Sequence, residues 1–279
     1  MIPHWIRKKL DRNVINTMEE KLNKIHLFTI CTEAKCPNRG ECFGKGTATF
    51  LILGNICTRN CGFCAVKKGK PLPLDKNEPK RVAEFAKLLG LTHVVVTSVT
   101  RDDLPDGGAE QFIDTLKWIR KLTNATVELL VPDFGGNFDA LDKLLSYKPD
   151  VLNHNIETVP RLYPIVRPLA NYTRSLELLL YAKKKGIITK SGLMVGLGET
   201  QEEVINTLYE LRKAGCDIVT IGQYLRPSRR HLEVARYVHP DEFKYYEKEA
   251  YKMGFKFVAS APFVRSSYRA KEALEKTSL

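Results

Sequence analysis

Six of the seven cysteines lie between Cys31 and Cys64, and their spacing indicates metal-binding chemistry. An odd number of thiols in a chain of 279 residues fits a disulfide framework poorly. The last three, Cys57, Cys61 and Cys64 (the downstream group), follow the pattern C-x3-C-x2-C. Structural zinc usually takes four ligands in paired units, whereas three thiolates can hold a 4Fe–4S cube with one iron open. We therefore expect a cluster here, with a zinc knuckle or buried thiols as the alternatives.

The other three clustered cysteines, Cys31, Cys36 and Cys42 (the upstream group), are spaced C-x4-C-x5-C. This group is again one ligand short of a closed tetrahedral site, so zinc with a further ligand and a second iron–sulfur cluster both stay open. Cys216 stands alone before an apolar run, and we expect it to be a small buried residue.

The elements that must position these thiols read as repeated strand–helix units. We predict strands at 49–53, 93–97, 127–131, 151–155, 187–195, 218–221 and 256–259, and helices at 79–89, 109–122, 139–146, 173–185, 200–214 and 241–253. Gly90, Gly186, Gly215 and Gly254 follow four of these helices as expected caps. A short helix at 17–24 and a loop at 67–73 are also predicted.

This alternation predicts an α/β fold, a partial (β/α)6-type TIM barrel with N-terminal and C-terminal extensions. We expect an N-terminal extension at 1–46, the barrel at 47–260 and a C-terminal segment at 261–279. The first barrel strand runs directly into the downstream group, and barrel enzymes carry their reactive groups after the strands. The downstream group is therefore expected at the catalytic face.

The C-x3-C-x2-C motif after a first barrel strand resembles that of the radical S-adenosylmethionine (SAM) enzymes. The upstream spacing and the motif Arg265-Ser266-Ser267-Tyr268 narrow the resemblance to the lipoyl synthase family, over residues 25 to 272. Further segments that resemble this family lie at 97–104, 153–158, 191–199 and 222–228.

The resemblance implies two 4Fe–4S clusters and SAM as cofactors. Sulfur would be inserted at carbons 6 and 8 of a protein-bound N6-octanoyl-lysine, with one SAM spent for each hydrogen removed. The upstream group and Ser267, rather than Ser266, would hold the auxiliary cluster that donates the sulfur, and the downstream group would hold the radical SAM cluster.

A SAM site is implied as well, and polar residues near strand ends are its candidate lining. They are Thr97, Ser98, Asn153, Asn155, Glu157 and Lys190. A carboxylate such as Glu157 could bind ribose hydroxyls or the methionine ammonium. For His154 we expect a hydrogen-bonded structural role rather than a direct role in the site. For Tyr224, packing and direct contact with the acyl chain or a cluster stay equally open.

The formal charge of +12 favours acidic partners. The implied ones are octanoylated lipoyl domains of 2-oxoacid dehydrogenases and the glycine cleavage H protein, a low-potential electron donor and an iron–sulfur carrier. We expect no nucleic acid or membrane partner, since there is no nucleic-acid signature and no apolar span of about 20 residues. Without an export signal, we expect the protein to lie in the cytoplasm.

Two alternative functions stay open. One is another two-cluster radical SAM reaction, such as methylthiolation of a nucleic acid, and the other is a zinc-stabilised protein that binds RNA.

Overall fold

Parallel strands followed by helices recur along most of the chain in the computed structural model, which describes residues 2–278. The chain forms two compact units. The first, here the cysteine-rich unit, comprises Lys8–Arg59 and Ala65–Asp150. The second, here the C-terminal unit, comprises residues 2–7, Asn60–Cys64 and residues 151–278. The downstream group is thus shared, with Cys57 in the first unit and Cys61 and Cys64 in the second.

In the cysteine-rich unit, three parallel strands form the sheet, and a short antiparallel strand pairs with its first strand. The strands are β1 (Phe28–Thr29), β2 (Thr49–Ile52), β3 (Ile56–Cys57), β4 (Lys67–Lys68), β5 (His93–Ser98) and β6 (Thr126–Leu130). The helices are α1 (Arg12–Lys24), α2 (Ile30–Glu33), α3 (Arg39–Gly44), α4 (Glu78–Leu88), α5 (Ala109–Leu122) and α6 (Phe138–Ser146), with a 3-10 turn at Phe134–Gly136. Sheet order is β1-β2-β5-β6, and β3 pairs with β4 separately.

The C-terminal unit has four parallel strands in chain order. They are β7 (Val151–Asn153), β8 (Ile188–Val195), β9 (Ile218–Gln223) and β10 (Phe257–Ser260). The helices are α7 (Tyr163–Val166), α8 (Tyr172–Lys184), α9 (Gln201–Lys213), α10 (Pro240–Lys252) and α11 (Ala270–Thr277), with 3-10 turns at His4–Ile6 and Pro160–Leu162.

The β9 side chains are all buried and alternate between two apolar clusters that form the core of the C-terminal unit. Val219 and Ile221 of β9 pack with Leu208 of α9 and Phe243 of α10 in the larger apolar cluster. Ile218, on the other face of β9, belongs to a second cluster with Phe257, Ala259, Val264 and Ala273. Because successive strand residues point to opposite faces, one side of the sheet packs on α9 and α10 and the other packs on α11. Each fully buried large side chain contributes about 1.5–3 kcal/mol.

The predicted βα order is confirmed, with every predicted strand and major helix present within two residues. The four cap glycines all have positive φ values, from 64° to 91°, as a left-handed helix end requires. Two predictions are wrong in detail. The first helix begins at Arg12 rather than residue 17, because Asp11 caps it by accepting from Asn13 N and Val14 N. The predicted loop at 67–73 contains strand β4, which pairs with β3.

The predicted ranges 1–46, 47–260 and 261–279 stay predictions, and their terminal residues, Met1 and Leu279, lie outside the described residues. Within residues 2–278, no helix combines the length and apolar character needed to cross a lipid bilayer.

Candidate functional site

The upstream group is carried on short helical turns of the cysteine-rich unit. Thr29 begins α2 by accepting a hydrogen bond from Thr32 N at 3.3 Å, and Cys31 lies one residue into that helix. The turn then closes through Cys36 N donating to Cys31 O at 2.9 Å, and Cys42 lies within α3. Local hydrogen bonds therefore shape the helical turns that carry the three thiols.

The thiols of the upstream group influence one another. Burial, with smaller contributions from Cys36 and Cys42, raises the pKa of Cys31 to about 12, although hydrogen bonds with Thr49 oppose the rise. Burial also raises the pKa of Cys42, again with a contribution from Cys36. All three are free thiols. Metal binding requires thiolates, and the positive charge of iron offsets both burial and mutual repulsion, so this donor set fits an iron–sulfur cluster.

No group of three His, Cys, Asp or Glu side chains in the described part of the chain is gathered for a single metal ion. A 4Fe–4S cluster makes a different demand, because each thiolate binds its own iron.

A strained turn delivers the chain from β2 to Cys57. Leu53 and Gly54 have φ values of 69° and 82°, and the Glu78 carboxylate accepts from both backbone N–H groups, at 2.8 and 3.3 Å. Gln111 Nε2 adds a third donor at 3.0 Å. Burial raises the pKa of Glu78, whereas these donors lower it. A left-handed leucine persists only where its surroundings fix it, and Glu78 provides that constraint.

The Cys57 sulfur accepts two backbone N–H groups in the cysteine-rich unit. Arg59 N lies 3.4 Å and Thr100 N 3.3 Å from Cys57 Sγ. Thr58 fixes the second contact, because its N and Oγ1 both donate to Thr100 O, at 3.1 and 3.0 Å. These two contacts fix the position of the Cys57 sulfur within the loop.

Arg59 anchors this loop through two carboxylates. Its Nε and Nη2 bind the two oxygens of Asp102 at 2.8 and 2.7 Å, and Nη2 also lies 2.6 Å from Asp133 Oδ1. The Asp133 side chain is fully buried and that of Arg59 is 6% exposed. Burial lowers the pKa of Arg59, but the two aspartates outweigh it and raise the pKa overall. A positive charge is therefore held next to Cys57 in the sequence.

In the C-terminal unit, Cys61 and Cys64 lie on a segment held by backbone contacts. Gly62 N donates to Val166 O at 2.9 Å, and Leu232 N donates to Gly62 O at 3.1 Å. A Cβ at Gly62 would lie 2.8 Å from Leu232 Cγ, so only glycine allows this approach. His231 Nε2 lies 3.1 Å from Cys64 O.

The predicted SAM-site residues Asn153, Asn155 and Glu157 form one hydrogen-bonded chain with the C-terminal motif. Asn153 Nδ2 donates to Ser266 Oγ at 2.8 Å, and Ser266 Oγ donates to Asn155 Oδ1 at 2.8 Å. Asn155 Nδ2 then donates to Glu157 Oε1 at 3.0 Å. β7 ends at Asn153, so Asn155 and Glu157 lie in the loop after the strand, where ligands bind in such sheets.

Arg167 is a candidate residue that the sequence reasoning missed. Its Nη1 donates to Asn155 O and Tyr163 Oη, each at 3.0 Å, and its buried Nε has no partner among the described residues. Burial lowers the pKa of Arg167, but nearby groups that include Tyr163, Glu157 and Cys61 raise it overall. The same guanidinium opposes the rise that burial causes in the pKa of Glu157. Only the charge of Arg167 was visible in sequence, not its position.

The other predicted lining residues differ in their surroundings. Thr97 is buried in the cysteine-rich unit and donates to Leu130 O at 2.9 Å. Ser98, the last residue of β5, has a buried Oγ with no partner in the described part of the chain. Lys190 is fully buried in the first half of β8, well before the strand end. These three assignments stay predictions, and the position of Lys190 favours its assignment least.

The structural interpretations of His154 and Cys216 are confirmed. His154 is buried and its Nε2 lies 3.0 Å from Ser175 Oγ, as a structural histidine. Cys216 is fully buried. Tyr224 is 1% exposed and donates to Leu232 O at 2.8 Å, which favours packing over a direct role.

Comparison with known proteins defines the class first. The family model described as the Radical SAM superfamily matches residues 51–211. The crystal structure of methylornithine synthase superimposes with a TM-score of 0.52 at 16% identity, covering 91% of this chain and 83% of that one. The chain therefore has the fold of the radical SAM enzymes, and the predicted α/β partial-barrel class is confirmed.

Closer relatives narrow the class. The chain is 60% identical over 274 residues to the lipoyl synthase of Caldanaerobacter subterraneus subsp. tengcongensis, covering 98% of this chain and 96% of that protein. It is 57% identical to the lipoyl synthase of Caldicellulosiruptor saccharolyticus, covering 97% and 96%. The chain belongs to the lipoyl synthase family. This membership confirms the prediction of a sulfur-inserting radical SAM enzyme with 4Fe–4S clusters and SAM as cofactors.

Proposed function

We propose that the chain converts protein-bound N6-octanoyl-lysine to lipoyl-lysine by inserting sulfur at carbons 6 and 8. The observation that carries this proposal is a second trio of free thiols, the upstream group, in a chain that also has the radical SAM motif. Radical chemistry alone needs one cluster, and a sulfur-donating reaction accounts for a second.

The substrate explains the choice of cofactors. Carbons 6 and 8 of an octanoyl chain bear no acidic proton, so a general base cannot activate them. The bound SAM and clusters supply hydrogen abstraction and sulfur, and the protein supplies placement. The residues of this chain therefore hold the cofactors, orient the acyl chain and keep water out.

Cys57, Cys61 and Cys64 are the proposed ligands of the radical SAM cluster. The two N–H donors at Cys57 Sγ support this role, because they hold the sulfur in place without iron. Arg59 holds the loop between the first two ligands through its pairs with Asp102 and Asp133.

The upstream group and Ser267 are the proposed ligands of the auxiliary cluster. The contacts of Ser266 support the choice of Ser267. Ser266 Oγ already accepts from Asn153 and donates to Asn155, and ligation as an alkoxide would require giving up the second bond.

Asn153, Asn155 and Glu157 are proposed to contact SAM, together with Thr97, Ser98 and Lys190. The Glu157 carboxylate suits the ammonium or the ribose hydroxyls of SAM. Arg167, near Glu157 and Cys61, adds a cation suited to a carboxylate.

The proposed partners are octanoylated lipoyl domains of 2-oxoacid dehydrogenases and the glycine cleavage H protein, a low-potential electron donor and an iron–sulfur carrier. Exposed Arg229 and Arg230 support an acidic carrier domain as the docking partner. The free thiols support a reducing compartment, and we propose the cytoplasm.

The test is product analysis by mass spectrometry, with reconstituted enzyme, SAM, a strong reductant and an octanoyl-lysyl peptide. A lipoyl-lysyl peptide is expected, with two methionines formed per product. The variant in which Cys31, Cys36 and Cys42 are all alanine should still cleave SAM but add no sulfur. Sulfur insertion by that variant, or none by the wild type while an RNA is methylthiolated, would overturn the proposal.

A further inference from the structure

The segment that joins β10 to α11 lies against the carboxyl end of β9 and the end of β7 in the C-terminal unit. Ala261 N donates to Ile221 O at 3.1 Å, and Gln223 N donates to Pro262 O at 3.2 Å. These bonds extend the pairing of β9 beyond its partner strand and bring the segment 261–268 against the strand end.

Gly222 makes this approach possible. A Cβ at that position would clash with the backbone oxygen of Val264 and lie 3.1 Å from Arg265 Nη1. Backbone therefore lies directly on backbone, with no side chain between them. The contact fixes the middle of the segment but leaves its far end, at Ser266 and Ser267, to be fixed by other bonds.

Ser266 supplies those bonds. Its Oγ accepts from Asn153 Nδ2 and donates to Asn155 Oδ1, both at 2.8 Å, across more than a hundred residues of sequence. Since the hydroxyl donates to the oxygen of the Asn155 carboxamide, the nitrogen of that carboxamide is directed to Glu157. One hydroxyl thus ties the C-terminal motif to the loop after β7.

We infer that Ser266 is a positioning residue that fixes the segment carrying Ser267 to Asn153 and Asn155 before any iron is bound. The inference rests on the proposed function only where it assigns Ser267 as the iron ligand. The two neighbouring serines then have separate roles. Ser266 fixes the position of the segment, and Ser267 binds iron of the auxiliary cluster. A preset ligand loses less conformational entropy on binding than a mobile one.

The experiment measures hydrogen exchange of the Val264 and Tyr268 amides in the full-length, iron-free chain. These amides donate to Ala261 O and Arg265 O within the segment. Without iron, Ser267 has no ligand role, so the two serines can be separated. The variants are Ser266→Ala, Ser266→Thr and Ser267→Ala. The matched control is Ser260→Ala, which removes a single bond to Phe243 O in the same unit.

We expect Ser266→Ala to speed exchange at both amides about tenfold, as the loss of two bonds opens the segment locally. Ser266→Thr keeps the hydroxyl and should restore most of the protection. Ser267→Ala should speed exchange less than Ser266→Ala does, and Ser260→Ala should stay within about twofold of wild type. Equal loosening by Ser266→Ala and Ser267→Ala, or none by Ser266→Ala, would overturn the inference.

Iron release from the reconstituted protein to a chelator tests the consequence. Ser266→Ala should load a normal amount of iron and release that of the auxiliary cluster several-fold faster. If instead Ser267→Ala loads and holds iron as the wild type does, the ligand assignment fails while the exchange result on Ser266 still stands.

Discussion

Cys57 and the upstream group occupy the same compact unit but are held in different ways. Backbone N–H groups point at the Cys57 sulfur, and the adjoining Arg59 is fixed by two aspartates. The upstream thiols instead lie on short helical turns, where burial and mutual repulsion raise the pKa of Cys31 and Cys42. One region is thus ordered by hydrogen bonds and ion pairs around its cysteine, whereas in the other the free thiols oppose the charged form that binds iron.

This difference indicates that the protein itself fixes the geometry of the Cys57 loop, whereas bound metal fixes that of the upstream group. The Cys57 loop keeps its form through contacts that exist without iron. The upstream group needs the positive charge of bound iron to keep its sulfurs together as thiolates. This contrast agrees with the proposed roles, in which the downstream group holds the radical SAM cluster and the upstream group holds the cluster that donates sulfur.

The largest expected effect comes from replacing Arg59 with Met. Asp133 would lose its ion partner while fully buried, and breaking a buried pair in this way costs about 3–5 kcal/mol of unfolding free energy. Urea unfolding of the iron-free chain measures the loss. The control is Asp102→Asn, since the Asp102 side chain is 41% exposed and its pair contributes at most about 1 kcal/mol. Equal losses in the two variants would contradict the anchoring role of Arg59.

A smaller loss is expected for Glu78→Ala, which leaves the N–H groups of Leu53 and Gly54 without an acceptor. Unsatisfied buried donors predict a cost of about 2–3 kcal/mol in urea unfolding and lower iron loading of the downstream group. Glu84→Ala, on the same helix but exposed, should change neither. If Glu78→Ala lowers loading of the upstream group equally, then the carboxylate does not act through the Cys57 turn.

For the upstream group, the corresponding variant is Thr29→Val, which removes the N-terminal cap of the helix α2 that carries Cys31. Loss of such a cap costs about 1 kcal/mol, and iron should load more slowly at the upstream group alone. Iron uptake followed in variants that retain only one cysteine group gives the measurement. Thr17→Ala, at an exposed position of α1, is the control. Slower uptake at the downstream group would contradict the separation.

The smallest effect is a pH dependence at Asp75, just before α4. A hydrogen bond from Arg81 lowers the pKa of Asp75 below its ordinary value, so folding favours the charged form. The stabilisation is present above about pH 4 and is lost as the pH falls through the lowered pKa. Asp75→Asn should lower the free energy of unfolding of iron-free protein at pH 7 by at most about 1 kcal/mol. The gap should close toward pH 2, and a gap that widens on acidification would refute the pairing.

Sequence predicted the features that depend on local pattern. Apolar runs predicted the strands and glycines predicted the helix ends, while the two metal sites that the cysteine spacing indicates stay predictions. The βα order was visible because each strand and helix carries its own periodicity.

Features that depend on distant contacts were missed. Strands β3 and β4 have two residues each, too few to form a periodic pattern. Arg167 is placed by its bonds to Asn155 and Tyr163, and Ser266 by partners more than a hundred residues away. No spacing rule connects such residues, because folding alone brings them together.

The most direct test of the central claim is a count of iron and acid-labile sulfide after anaerobic reconstitution. We predict roughly eight of each per wild-type chain, as two 4Fe–4S clusters require. Replacing either cysteine group with alanines should leave roughly four. Zinc in place of iron at the upstream group, or a count of four in the wild type, would leave the enzyme without a sulfur donor and would contradict the account.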